Sequence, residues 1–150
     1  MDISVEFNLD DGFLRRECPN CERQFKWHHG PMDDRPDDAV DPPQYTCPYC
    51  GEPGANDAWW TPEQLDYIME AAQGPAMEMI ADELERGFKR SKHITFEKGS
   101  IDVPALPPPP AEPGDMTGVA SPCHPWEPIK IAESWDQPIH CIVCGRTFVA

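Results

Sequence analysis

Three Cys-x-x-Cys pairs, Cys18/Cys21, Cys47/Cys50 and Cys141/Cys144, take up six of the seven cysteines in this 150-residue chain. Two intervening residues let the backbone turn tightly enough for both sulfurs to reach one ion at about 2.3 Å. The first two pairs read C-x2-C-x25-C-x2-C, which is two chelating knuckles for one tetrahedral metal. Four thiolates fill every coordination position, so this site is expected to be structural and not catalytic.

The third pair needs partners from upstream, because only six residues follow Cys144. Cys123 supplies one. The fourth ligand is His124 or, as the alternative, His140. Neighbouring side chains diverge in an extended chain, so Cys123 and His124 converge only if Pro122 or Pro125 turns the backbone. His140 immediately precedes Cys141 and is expected to point away from the ion. Cys18-x-x-Cys21-Glu22-Arg23-Gln24-Phe25 is repeated weakly as Cys141-x-x-Cys144-Gly145-Arg146-Thr147-Phe148, which supports reading the last pair as a knuckle. Two Zn2+ ions per chain are expected. Two other chemistries compete with this reading. Cys47-Pro-Tyr-Cys50 matches a glutaredoxin redox string, but that chemistry needs a helix N-terminus at the first thiol, and Gly51-Glu52-Pro53-Gly54 does not continue a helix. Four thiolates also accept iron.

These ligands must be positioned by small elements. Ile3, Val5, Phe7 and Leu9 alternate with polar residues, which predicts a strand over 3–9. Asp10-Asp11-Gly12 reads as a turn, Phe13-Leu14 as the start of a strand running into Cys18, and Gln24 to Trp27 as the strand leaving the first knuckle. Residues 28–44 read as a loop with five aspartates and four prolines. Thr61-Pro62-Glu63-Gln64 is a capping box with proline at the first helical position. Leu65, Ile68, Met69 and Ala72 follow at helical spacing, and a second helix is expected from Gly74-Pro75, with Ala76, Met77, Ile80, Leu84 and Phe88 on one face. Ile94 to Phe96 is a candidate strand. Pro104, Pro107 to Pro110 and Pro113 mark a stiff linker over 103–118. Glu127 to Ile131, Pro138 to Cys141 and the terminal Phe148-Val149 are candidate strands. The expected organisation is an N-terminal zinc ribbon over 1–60, a helical segment over 61–102, the linker, and a C-terminal knuckle module over 119–150. The fold class is small α+β, metal-stabilised, with 39% apolar residues and 19 prolines leaving little for a core.

The net charge is −15, a field that repels nucleic acid on average and suits another protein, one with a basic surface. Two basic groups stand against that average. Arg15, Arg16, Arg23 and Lys26 flank the first knuckle, and Arg86, Lys89, Arg90, Lys92, His93 and Lys98 follow the helices. The N-terminus shows no basic and apolar leader pattern, no apolar run reaches membrane-span length, and paired cysteines without a leader suit a reducing, cytoplasmic setting. No Ser/His/Asp pattern, phosphate loop or zinc-deaminase signature is present, so no enzyme activity and no catalytic residue is expected.

Residues 13–54, and less closely 121–149, resemble the zinc-ribbon (rubredoxin-like) fold group, small β modules held by two knuckles. The residues after Cys21 look more like a zinc knuckle than the aromatic spacing of rubredoxin. That group includes transcription factors, ribosomal proteins, polymerase subunits and protein-interaction adaptors, so the resemblance implies a fold and a metal and not one activity. The expected role is a non-catalytic zinc-binding adaptor or accessory subunit, presenting the segment 62–90, Trp59-Trp60 and the acidic loop. The alternative is a transcription-related or nucleic-acid-associated zinc ribbon.

Overall fold

Asp11 and Gly12 both adopt positive φ, 53° and 85°, and the Asp10 and Phe13 backbones exchange two hydrogen bonds of 2.9 Å across them. This turn has the twist that an antiparallel hairpin needs, and it launches β1, Phe13–Glu17. The computed structural model describes residues 6–73, 79 and 108–150. Residues 6–9 are irregular, and the rest of the strand expected over 3–9 lies outside the described residues, as do the second helix, the 86–98 basic cluster and the candidate strand at 94–96.

β1 passes through the first knuckle into β2, Gln24–His28, and the two pair antiparallel. β3, Gln44–Thr46, and β4, Pro53–Ala55, form a ribbon around the second knuckle. β5, Met116–Val119, pairs with β6, Ile129–Ala132. β7, Ile139–His140, and β8, Thr147–Phe148, frame the third knuckle. The main sheet has the order β1-β2-β6-β5, so β2 and β6 join the two ends of the chain directly.

That pairing changes the expected organisation. Residues 7–62 and 111–150 make one compact unit, and residues 1–6 with 63–110 make another. The stretch read as the end of a linker contains β5 and is part of the sheet. Proline content hid this, because the strand begins only after Pro113. Residues 103–107 of the expected linker lie outside the described residues.

The sheet has two unlike faces. On one, Leu14, Trp27, Ile129 and Val119 are cross-strand neighbours in a single row. Trp27, Ile129 and Val119 pack with Phe25, Ile131, Tyr49 and Trp59 into a core that also takes in Cys18, Cys47, Ile139 and Ile142. On the other face, Arg15, Lys26 and Lys130 are direct cross-strand neighbours. Like charges so placed repel. Carboxylates from two loops offset them: Lys26 Nζ lies 2.9 Å from Asp10, 2.9 Å from Glu112 and 3.2 Å from Asp115. Arg15 pairs with Glu112 and Asp115 at 3.1 and 2.6 Å, and Lys130 with Asp10 at 2.9 Å. Three cations and three anions thus close over a Lys26 side chain with no exposure. Burial alone would lower its pKa, but the carboxylates outweigh burial and hold it above the ordinary range. Its two lysine partners hold Asp10 below the ordinary carboxylate range.

In the other unit, residues 62–73 are helical, α1, starting where the capping box places it. The buried positions are Gln64, Tyr67 and Ala71, whereas Leu65 and Met69 are 46% and 69% exposed. The helical period is as read from the sequence and its phase is not. The stripe that is buried is anchored by an aromatic residue, and the more apolar stripe faces outward.

Lys26→Met keeps the aliphatic stem and removes the cation. It leaves Arg15 and Lys130 facing three carboxylates and is expected to cost about 1.5–3 kcal/mol, the usual range for losing a hydrogen bond to a charged group. Arg15→Met, on a part-exposed side chain, is expected to cost clearly less. Urea unfolding of the metal-loaded proteins checks both.

Candidate metal centres

All three knuckles repeat one backbone pattern. The N–H four residues after the first cysteine donates to that cysteine's carbonyl: Glu22 to Cys18 at 3.0 Å, Gly51 to Cys47 at 3.0 Å, and Gly145 to Cys141 at 2.8 Å. The cysteine N–H in turn donates to the next residue's carbonyl, on Arg23, Glu52 and Arg146. Closing so tight a loop puts the fourth residue at positive φ, 61° at Glu22, 75° at Gly51 and 76° at Gly145, where glycine is favoured. The same turn aims N–H groups at sulfur. Asn20 and Cys21 donate to Cys18 Sγ at 3.3 and 3.4 Å, and Tyr49 and Cys50 donate to Cys47 Sγ at 3.4 and 3.5 Å. Such donors stabilise thiolate over thiol.

The donor atoms of Cys18, Cys21, Cys47 and Cys50 lie within 4.8 Å of one another, and so do those of Cys123, His124, Cys141 and Cys144. Within the first cluster Cys18 and Cys50 are 3.7 Å apart and Cys21 and Cys47 are 3.8 Å apart. A tetrahedron with metal–sulfur bonds of about 2.3 Å has edges of roughly 3.8 Å, so the residues present fit a four-coordinate ion. In the second cluster Cys123 and Cys144 are 3.4 Å apart, and His124 Nδ1 is 3.4 Å from Cys141 Sγ. All seven cysteines are free thiols. The two clusters fit a ribbon-like metal-binding arrangement.

The acid–base properties of the thiols follow from their surroundings. Burial pushes the Cys21, Cys47 and Cys141 thiols up. Burial also opposes ionisation of Cys50, but the Glu52 N–H and the Asn20 amide outweigh it and bring that thiol down to about 7. At Cys123 the adjacent His124 and Cys144 outweigh burial and bring it to about 6. Each cluster therefore holds one sulfur that ionises more readily than an ordinary thiol, a starting ligand for a dication.

Of the two candidate histidines, His124 joins the cluster. The obstacle of adjacent ligands is removed by a turn built on Ser121. The His124 N–H donates to Ser121 Oγ at 3.1 Å, and the Glu127 N–H donates to the His124 carbonyl at 3.0 Å. Ser121 Oγ then donates to Cys141 Sγ at 3.2 Å. His140 stands elsewhere. Its ring covers Gly51 of the first centre so closely that a Cβ there would come within 2.9 Å of it.

The two centres sit back to back. Thr46 N–H donates to the Ile142 carbonyl, and His140 N–H donates to the Pro48 carbonyl, both at 2.9 Å. The residue before each first cysteine thus bonds to the residue after the other. Tyr49, inside the second knuckle, donates its hydroxyl to the Gln24 carbonyl at 2.7 Å and accepts from Ala132 N–H at 2.9 Å. It pins that knuckle to β2 and β6. Neither Ser121 nor Tyr49 was singled out in the sequence as a support. A serine two residues before a ligand and a tyrosine between two ligands were the only traces.

The basic residues around the first knuckle are engaged within the protein. Arg15 and Lys26 belong to the carboxylate cluster. The Arg16 guanidinium lies between the Trp27 and Trp60 rings at 4.5 and 4.4 Å, and burial brings its pKa down to about 10. Arg23 stacks on Trp135 at 4.8 Å. Trp59 is fully buried in the core. No helix among the described residues is long and apolar enough to cross a membrane. Comparison of the chain with protein-family models, curated proteins and solved structures finds no match.

Ser121→Ala is expected to lower metal affinity at the second centre by about 10–100-fold, the usual cost of losing a ligand's supporting hydrogen bond. The first centre is expected to stay unchanged, and competition with a chromophoric chelator resolves the two. Gly145→Ala is expected to cost on the order of 1 kcal/mol from its positive φ. Gly51→Ala is expected to cost more, with His140→Ala in the same chain recovering the difference, as thermal unfolding will show.

Proposed function

We propose that this chain is a non-catalytic protein-binding module, an adaptor or accessory subunit, held together by two structural Zn2+ ions. The observation that carries the reading is the closure of both donor sets. Cys18, Cys21, Cys47 and Cys50 on one side, and Cys123, His124, Cys141 and Cys144 on the other, each supply four donors within 4.8 Å. Four protein donors to a tetrahedral ion leave no position for substrate or a reactive water. Thiolate-rich tetrahedral sets favour zinc among the common divalent ions.

The charge distribution supports a protein partner. Five of the described cations, Arg15, Arg16, Arg23, Lys26 and Lys130, are held against carboxylates or tryptophan rings. By contrast Asp33, Asp34, Asp37 and Asp38 are exposed and make no ion pair among the described residues. With a net charge of −15, the accessible surface favours a basic polypeptide over a phosphate backbone.

Native mass spectrometry is expected to find two zinc ions per chain, both lost together with cooperative folding on chelation. Cobalt substitution is expected to give tetrahedral thiolate spectra that do not change when cyanide or azide is added. A spectrum that shifts with added anion would reveal an open, potentially catalytic position. Salt-sensitive binding of duplex DNA or RNA would displace the protein-partner reading.

A further inference from the structure

Beyond the metal centres, the compact unit formed by 7–62 and 111–150 carries a half-open cleft of about 250 Å³. It is smaller than the roughly 300–1,000 Å³ of small-molecule sites, which suits one inserted side chain. His28, His29, Gly30 and Pro31 form one edge, at the start of the acidic loop. Trp27 and Tyr45 form an aromatic wall, their ring centroids 4.7 Å apart. Arg35, Asp41 and Glu127 supply its charge.

The charges in the cleft are unequally satisfied. Arg35 points one terminal nitrogen at Asp41, 2.9 Å away, and donates from the other to the Ala39 carbonyl at 3.1 Å. It is thereby committed to its own loop. Glu127 is left with that guanidinium at 3.9 Å as its nearest cation, although its side chain is only 22% exposed. The loop that supplies Arg35 and Asp41 also carries Asp33, Asp34, Asp37 and Asp38, which are exposed and make no ion pair among the described residues. An aromatic wall beside a poorly compensated carboxylate is the chemistry that holds an ammonium or guanidinium group.

We infer that this cleft receives one cationic side chain of a partner polypeptide, with Glu127 as its counter-ion, Tyr45 as the ring it packs on, and the loop aspartates meeting flanking bases. The inference rests on the protein-binding reading above and gives that reading a definite site and a ligand class. Glu127 is not a metal donor, and neither is Tyr45, so the cleft can be altered with both centres intact.

The test uses the full chain loaded with zinc and a dye-labelled peptide with a central arginine between lysines. Two control peptides replace the arginine, one with lysine and one with neutral citrulline. At low salt the arginine peptide is expected to bind at least about tenfold tighter than the citrulline peptide, a difference of about 1.4 kcal/mol. The lysine peptide is expected to fall between them, because an ammonium makes the ion pair without the planar stacking of guanidinium. Glu127→Gln is expected to abolish the arginine–citrulline difference while zinc stoichiometry stays at two. Replacing the four loop aspartates by asparagine is expected to weaken all three peptides alike. Equal binding of arginine and citrulline peptides, or a Glu127→Gln protein that still discriminates, overturns the cleft assignment. Either result with two zincs bound leaves the zinc-module reading standing. A chain that folds without zinc removes that reading and leaves the peptide result to be judged by itself.

Discussion

Four donor atoms brought within 4.8 Å of one another, twice, from segments far apart in the chain, are the constraint on which this architecture depends. Thiolates at 3.7 Å repel, and a cation bound among them would offset that repulsion. Such a cation would stand in for interior that the chain does not have, since its apolar fraction is modest and its strands are short. Structural zinc supplies on the order of 10–16 kcal/mol of apparent binding energy, comparable to the entire stability of an ordinary domain.

The two centres share a seam. The reciprocal bonds between Thr46 and Ile142 and between His140 and Pro48 set two knuckles against each other. Tyr49 then fastens the seam to the middle of the main sheet through Gln24 and Ala132. Ordering either knuckle therefore presents a template to the other. The sheet carries this load on its apolar face. Its opposite face is closed by an ion cluster, with the proline-bearing stretch around Glu112 and Asp115 drawn over Lys26. Of the four cations flanking the first knuckle, Arg15 and Lys26 are spent there and Arg16 and Arg23 on tryptophan rings.

Much of the candidate site was legible. Cys-x-x-Cys spacing is a local property: the turn that lets two sulfurs converge is set by the residues inside and just after it. Hence the three knuckles, the strands entering and leaving the first, and the helix start at Pro62 could be read from neighbouring residues. The phase of α1 could not, because two stripes of similar apolarity run along it and packing chose the one containing Tyr67. Nor could the role of the 111–118 stretch, whose prolines look like a spacer until Glu112 and Asp115 are seen over a buried lysine.

By itself, the sequence determined that this protein pairs its cysteines at metal-ligand spacing and that the chain is acidic, because both follow from residue type and short-range spacing. The sequence favoured His124 over His140 for the second cluster, and tertiary structure decided how it gets there, through a turn closed by Ser121, with the His140 ring parked over Gly51. Tertiary structure also decided that both ends of the chain share one sheet. The pairing of β2 with β6 joins residues about a hundred positions apart. Such contacts are selected by the three-dimensional match of an apolar row on one face and a neutralised charge row on the other, which no local pattern encodes.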